Sequence, residues 1–556
     1  MSNQPTVEDD YGHLKKVETD VFIAGSGPIG ATFCRQILEK HPSARVFMAE
    51  IGSQDNPVIG AHHKNSIKYQ KDIDAFVNVI KGALQHISMP PADTHMDTLG
   101  EVSWTPAPGQ NLIQSYHNPN QDPRKNLLSY MTRTVGGMAT HWTCACPVPD
   151  PQEREQCPID GPEFDNLLSE AKLLLNVNEN EYDESIRHNL VKDVLTKAYG
   201  PERVKNLPLA VKRRENKEFV TWSGVDTVLG RWATEQDPRF VLKAETRVTK
   251  LILDPVPGPR KVVGALCRDL NTHEDFVVLA KHYVVACGAV GTPQVLFNSK
   301  IRPPLLGKNL AEQSLAFCQI VLKREYIDSI PTRFPELVKK HQSKHSEDPM
   351  PIPFSDPEPQ VTMPYSSALG KQYHVQIHRD AFSYGDVGPR ADPRVVVDLR
   401  FFGRQEIREE NRVTFADPIT IQHSDGTTEQ NMDGTTDGYG MPQATFHVTR
   451  SASDAERDHQ MMKDMCEAAS ILGAYLPGSQ PQFMTPGLVL HITGTTRAGR
   501  SPEDSVVDQN SKLWDLDNVF VGGNNVIPDS TACNPTLTSV AYAIKSARYI
   551  SSQIPV

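Results

Sequence analysis

The run Gly25-Ser26-Gly27-Pro28-Ile29-Gly30 puts glycine at the three positions where a chain turning from strand into helix meets a pyrophosphate. Gly25 permits the tight turn, Gly27 lets the backbone approach a phosphate, and Gly30 lets helix and strand pack closely. The helix N-terminus then faces the phosphate charge. Glu50 follows 20 residues after Gly30, where a carboxylate at a strand end accepts hydrogen bonds from a ribose. This pattern points to a dinucleotide, and by itself it does not separate FAD from NAD.

A second run, Thr132-Arg133-Thr134-Val135-Gly136-Gly137-Met138-Ala139-Thr140-His141-Trp142-Thr143, sets a histidine behind paired glycines. A neutral imidazole nitrogen is a competent nucleophile toward the 8α-carbon of a flavin, and the glycines would let the backbone run close against a flat ring. Residue type alone equally allows a hydrogen-bonded structural histidine. Gln376, His378, Asp380, Phe382 and Tyr384 alternate, so an extended strand turns them to one face. Polar groups interleaved with rings suit a sugar, whose hydroxyls need partners and whose C–H faces stack. The same alternation also describes a half-buried strand with its polar side in water. His491 follows Leu488-Val489-Leu490, an apolar approach that limits hydration and disfavours the charged imidazole.

The elements that must hold these residues are legible around them. Residues 20–24 read as a short strand, a helical pattern runs from the glycine loop through Leu38, and residues 45–50 read as a second strand. Residues 164–175 have helical spacing behind Asp160 and Gly161, residues 281–289 return to strand then glycine, and residues 518–550 read strand, loop, helix. Residues 1–16 are expected to be loose, stretches at 85–125 and 425–440 are expected to be loops, and the polar, proline-rich stretch at 327–360 is expected to be a surface excursion. At 556 residues the chain predicts two joined domains. A net charge of −11 speaks against a nucleic-acid partner. No apolar run approaches a membrane span, and the start lacks the basic, then apolar, character of a signal peptide. The nine cysteines are scattered; with Cys144 and Cys146 the only close pair, neither a disulfide framework nor a zinc site is expected, and no metal is assigned.

These runs together resemble the glucose–methanol–choline (GMC) oxidoreductase family, and within it the sugar-oxidising members, from Asp20 to the end of the chain. Further stretches that carry the resemblance are Ile59-Gly60-Ala61-His62-His63-Lys64-Asn65, Pro351-Ile352-Pro353-Phe354, Arg400-Phe401-Phe402-Gly403-Arg404 and Asn534-Pro535-Thr536-Leu537-Thr538. The resemblance implies an α/β fold: a Rossmann-like FAD-binding domain from residues 1–160, 241–320 and 487–556, and a substrate domain on an antiparallel sheet from 161–240 and 321–486. It implies FAD joined covalently to His141, with Thr143 beside flavin N5 and with Thr132, Arg133, Gly137 and Thr536 around the cofactor. His491 is implied as the base and Asn534 as its partner, since a neutral histidine suits proton removal near pH 7 and an amide can hold the same oxygen. Gln376, His378, Asp380 and Arg400 are implied to meet the sugar, within a mobile substrate loop.

The implied reaction is oxidation of D-glucose and other aldopyranoses at C2, with O2 reduced to hydrogen peroxide or a quinone as acceptor. Rivals are a relative acting at C3 of a glycoside or preferring quinones, a flavoprotein retained only for binding, and an NAD-dependent dehydrogenase. Four departures stand out. Thr496 occupies a position where the family pattern leads one to expect a second histidine, and the run Pro528-Asp529-Ser530-Thr531-Ala532-Cys533 is unusual. Segments at 300–309 and 330–350 look short, so the homotetramer expected from the family leaves dimer or monomer open. The loop at 425–440 looks long. The compartment is expected to be cytoplasmic, or hyphal periplasmic or extracellular by a non-classical route.

Overall fold

The strand Val21–Ala24 is buried throughout and sits at the centre of a five-stranded parallel sheet. Its neighbours run in the order Phe240–Lys243, Val46–Ala49, Val21–Ala24, His282–Val285 and Val519–Val521, every pairing parallel. A parallel sheet is covered on both faces, which is why the central strands read as unbroken apolar runs rather than alternating ones. The helix Pro28–Lys40 starts with proline, whose fixed φ suits the first helical position. It packs against the C-terminal helix Thr536–Gln553, which in turn packs on Gly161–Leu175. In this computed structural model the described residues are 11–90, 118–215, 219–255, 260–379, 387–388, 391–417, 419–422, 428–431 and 435–554.

Two further sheets flank this one. Lys15–Glu18, Asp275–Leu279, Val262–Asp269 and Thr246–Leu253 form a four-stranded sheet. The larger antiparallel sheet has the order Gly473–Tyr475, Ser314–Leu322, Val396–Gly403, Tyr373–His378, Val361–Met363 and Lys205–Asn206, with Gln482–Phe483 also on Ser314–Leu322. Helix Ala452–Leu472 buries Met461, Met465, Ala468, Ala469 and Leu472 in the core beneath it, together with Ile186–Tyr199. The architecture is therefore α/β, with a Rossmann-like parallel sheet and a separate antiparallel one.

Several expectations are corrected. Lys15 and Lys16, at the end of the segment expected to be loose, open the strand Lys15–Glu18, which pairs in parallel with Asp275–Leu279. The stretch at 425–440, expected to be a loop, carries the strand Thr428–Asn431, paired with Ile419–Gln422, while the surface excursion expected at 327–360 takes the form of helices Ile330–Arg333 and Pro335–Lys344. The packing also divides the chain differently from the expected boundaries. Strand Ser314–Leu322 belongs to the antiparallel sheet, although a boundary at 320 would cut it. Helix Gly161–Leu175 buries Phe164, Leu167 and Leu168 in the same core as the parallel sheet, so it belongs with the nucleotide side. Hydrophobic spacing announced the helix, but spacing does not say which sheet a helix covers. All nine cysteines are free, and among the described residues no group of three or more His, Cys, Asp or Glu could hold a metal. No described helix is long and apolar enough to cross a membrane.

Candidate active site

A cavity of about 370 Å³ lies where the parallel strands end at Ala49 and Ala286 and the antiparallel sheet presents Gln376, Arg400 and Phe402. Carboxyl ends of parallel strands are where open α/β sheets bind ligands. The glycine loop lines it, and each glycine is explained separately. Gly25 has φ +97°, and a Cβ there would lie 2.4 Å from the Ala286 carbonyl oxygen. A Cβ on Gly30 would lie 2.0 Å from the Gly25 carbonyl oxygen, whereas one on Gly27 would meet nothing within 4 Å. Gly27 thus leaves open space at the start of helix Pro28–Lys40. Glu50 ends the neighbouring strand, its Oε2 accepting from Ser26 N (2.9 Å) and Oγ (2.7 Å) and its Oε1 from Gly52 N (3.0 Å). Burial pushes its carboxyl above the usual range, although those donors pull it back. Glu50 therefore braces the loop as well as lining the cavity.

His141 ends the short helical turn Gly137–Thr140 and is buried against the same cavity. Its Nε2 lies 2.8 Å from Thr132 Oγ1, and burial lowers its pKa to about 4, so the imidazole is neutral at ordinary pH. Gly136, at φ +101°, lets the turn press on Gly60, whose Cα would be 2.8 Å from an added Cβ. Thr143 and Gly137 line the cavity, and Trp142 Nε1 donates to Ser223 O (2.7 Å). Arg133 donates to Gln85 Oε1 (2.6 Å) and lies 4.4 Å over the ring of Tyr439. Thr536 opens helix Thr536–Gln553 at the cavity wall.

The far end holds His491, Asn534 and Gln376 in hydrogen-bonded sequence. Asn534 Nδ2 is 3.3 Å from His491 Nε2, and Gln376 Nε2 is 2.5 Å from Asn534 Oδ1. His491 is half-buried at the cavity wall, desolvation of its imidazole lowers its pKa to about 3, and its Nδ1 is 2.9 Å from Gln313 Oε1. Its backbone N–H donates to Glu312 Oε2 at 3.0 Å. Arg400 lines the cavity and sits 3.5 Å from Asp398. His378 is buried opposite Asp398 across the strand pair and does not line the cavity, in contrast to Gln376 two residues earlier. Asp380, Phe382 and Tyr384 lie outside the described residues. Thr496 is buried away from the cavity lining, where it accepts from Asn525 Nδ2 (2.6 Å).

Models of the GMC oxidoreductase family match residues 221–315 and 423–543. The chain is 56% identical over 547 residues to a pyranose 2-oxidase of Tricholoma matsutake, covering 97% of this chain and 94% of that one. The chain belongs to the GMC oxidoreductase family. It is also 42% identical to a pyranose 2-oxidase of Lyophyllum shimeji, over 96% of this chain and 91% of that one. Against a C-glycoside 3-oxidase of Microbacterium trichothecenolyticum the identity is 32%, over 97% of each chain. A solved formate oxidase, 14% identical, shares the fold with a TM-score of 0.64 over 97% of this chain and 99% of that one.

A GMC oxidoreductase takes FAD, and the residues present fit it. Gly27 offers a bare backbone at a helix N-terminus for the pyrophosphate. Glu50 stands at a strand end where its carboxylate could accept from a ribose, and the cavity reaches from there to both His141 and His491. Sequence reasoning missed several residues of this GMC oxidoreductase's cavity. Gly288, with φ +79° and open space around it, starts a second helix at the wall, and its strand-then-glycine signature could have flagged it. Thr246, Arg247 and Val248 come from a strand edge that carries no motif. Asp437 and Tyr439 belong to the long loop for which the sequence offered no account, and Met441 directly follows it.

Proposed function

We propose that this GMC oxidoreductase oxidises the C2 hydroxyl of aldopyranoses, D-glucose among them, with its FAD held covalently through His141. The products are the 2-dehydro sugar and hydrogen peroxide, one sugar and one O2 being consumed per turnover. The observation that carries the reading is the neutral His491 beside Asn534, in the same cavity as the glycine loop and His141. When bound, the flavin supplies the two-electron acceptor for the carbinol hydrogen and passes those electrons to O2. The chain's own residues do the rest.

His491 Nε2 takes the C2 hydroxyl proton, and Asn534 Nδ2 donates to the oxygen as negative charge develops there. Gln376, bonded to Asn534, fixes that amide and offers the sugar a further polar group from the strand Tyr373–His378. Arg400 gives the cavity wall a permanent cation that can hold a sugar hydroxyl. His491 is half-buried in the cavity wall, so a sugar filling the cavity would exclude water from the nitrogen that must receive the proton. His141 would hold the flavin through a bond from its imidazole to the 8α-carbon, a hydrogen of that carbon leaving as a proton and the two electrons of its bond passing through the flavin to O2, a role the neutrality of His141 supports. C2 regiochemistry is supported by the greater identity to pyranose 2-oxidases than to the C-glycoside 3-oxidase.

Acid precipitation tests attachment: yellow colour that stays in the pellet is expected, and colour that washes out removes His141 as the attachment point. Anaerobic D-glucose is expected to bleach the flavin, with 2-dehydroglucose recovered after aeration. A 3-dehydro product would replace the C2 assignment.

A further inference from the structure

We propose that Gln313 is a positioning residue that sets the hydrogen-bond polarity of the whole catalytic end, from His491 through Asn534 to Gln376. The inference deepens the proposed function and rests on His491 being the base. It begins from two atoms that can only accept. Gln313 Nε2 lies 2.8 Å from the carbonyl oxygen of Thr531 and 2.9 Å from that of Cys533. Carbonyl oxygens have no proton to give, so the end of the Gln313 amide facing them is its NH2. The other end, Oε1, is then necessarily the atom 2.9 Å from His491 Nδ1.

An amide oxygen accepts, so Nδ1 carries the proton. A neutral imidazole with Nδ1–H has its lone pair on Nε2, the nitrogen that faces Asn534. Asn534 must therefore turn its NH2 toward His491, leaving Oδ1 to accept from Gln376 Nε2. Gln376 in turn keeps Oε1 as an acceptor. Two backbone carbonyls thus choose the tautomer of the base and the orientation of two amides beyond it. Without that choice, Nε2–H would point at the site and the base would have no lone pair to offer.

The geometry is rigid enough to enforce it. Gln313 and Asn534 are buried, and the Gln313 backbone N–H is held by Glu312 Oε1 at 2.8 Å. The segment 529–533 that supplies the carbonyls is pinned from other directions. Ala532 N donates to Glu153 Oε1 (2.5 Å), Asp529 Oδ1 accepts from Gln156 N (2.8 Å), and Ser530 Oγ accepts from Gln405 N (3.1 Å). This is the run whose sequence departs from the usual pattern. The other titratable groups around His491 are Glu312, which takes its backbone N–H, His374 on the antiparallel sheet, and Arg400 in the cavity wall.

Two variants separate positioning from packing. Gln313→Leu keeps bulk but offers Nδ1 no acceptor. Gln313→Glu keeps an acceptor for Nδ1–H, loses the donor to the carbonyls, and adds a charge that favours the imidazolium. For folded, flavin-loaded Gln313→Leu, anaerobic flavin reduction by D-glucose is expected to slow by about 100-fold with sugar affinity within about threefold. Gln313→Glu is expected to recover much of the rate at alkaline pH, with its acid limb moved up by about one pH unit or more. Imidazole 15N shifts of His491, assigned by difference against His491→Asn, give a reading independent of any substrate. Wild type is expected to show protonated Nδ1, and Gln313→Leu a tautomer mixture. Wild-type rates in Gln313→Leu, equal losses and equal pH profiles in both variants, or a protonated Nε2 in wild type would each overturn the inference. Failure of any sugar to bleach the wild-type flavin, with the 15N result as expected, would instead sink the proposed function.

Discussion

The two ends of the cavity are built on opposite principles. At the glycine loop the protein presents backbone: missing side chains at Gly25, Gly27 and Gly30, and the N-terminus of Pro28–Lys40. At the His491 end it presents side chains held by other side chains, from Gln313 to Gln376. A backbone site recognises a constant ligand feature, such as a pyrophosphate, and tolerates little change in its own atoms. A side-chain network sets proton positions, which a backbone turn cannot do, and each member can be changed without breaking the chain path.

That contrast predicts where each end fails. His491→Ala removes the proton acceptor and is expected to slow flavin reduction by about 10³-fold or more, roughly 4 kcal/mol of barrier, while flavin content stays near wild type. Stopped-flow reduction measured alongside the protein-to-flavin absorbance ratio checks both halves. A variant that lost its flavin would show that this end also holds the cofactor.

The glycine end should separate fold from binding instead. Gly25→Ala meets the Ala286 carbonyl at 2.4 Å in a left-handed backbone, and Gly30→Ala meets the Gly25 carbonyl at 2.0 Å. Each is expected to destabilise the protein by about 3 kcal/mol or fail to fold. Gly27→Ala clashes with no protein atom within 4 Å, so the apoprotein should unfold within about 0.5 kcal/mol of wild type while taking up less FAD. If Gly27→Ala proved as unstable as Gly25→Ala, the open space would not be a ligand's.

The same difference decided what the sequence could reveal. Glycine spacing is a direct imprint of backbone geometry, so the loop, its strand and helix, and Glu50 were all legible. His491 and Asn534 were legible only through resemblance, because a histidine after three apolar residues has no distinctive pattern of its own. Gln313 left no imprint at all: its role depends on carbonyls more than 200 residues away along the chain. His378 lies outside the cavity lining that Gln376 joins; alternation gives the face of a strand but not how far along it a cavity extends. The domain boundaries slipped for a related reason, since Ser314–Leu322 and Gly161–Leu175 look like ordinary elements whichever layer they join.

Acid–base behaviour sharpens the comparison further. His62, His374 and His491 are lowered to about 3, and His86, His141 and His188 to about 4, all chiefly by burial. Their unfolded counterparts titrate at about 6.5. Below that pH the unfolded chain binds protons that the folded chain refuses, so stability falls on acidification toward about 3 to 4. Glu312 is raised to about 8, Glu153 to about 7 and Asp529 to about 6, again chiefly by burial. These favour the folded state as pH drops through those values toward the unfolded carboxyl range. The thermal midpoint is therefore expected to rise from pH 9 to about 7 and to fall below about 6. A midpoint still rising at pH 5 would mean the carboxyls outweigh the histidines.

The smallest expected effect concerns the long loop, which meets the backbone-built end through side chains. Asp437 Oδ1 accepts from Tyr439 N (2.9 Å) and Met441 N (3.0 Å), and its Oδ2 accepts from Gln294 Nε2 (3.0 Å). Gln294 also donates to Pro442 O (2.8 Å), and Arg133 covers the Tyr439 ring at 4.4 Å. Tyr439 is thus fixed as a piece of cavity wall rather than a free surface ring. The proposed covalent attachment through His141 would mask its contribution, so the test needs the His141→Ala background. There Tyr439→Ala is expected to weaken FAD binding by about fivefold, about 1 kcal/mol, measured by flavin fluorescence. Equal affinity with and without the ring would leave the backbone end as the sole holder of the cofactor. A loss far above tenfold would make the loop, and not the glycine turn, the dominant contact at that end.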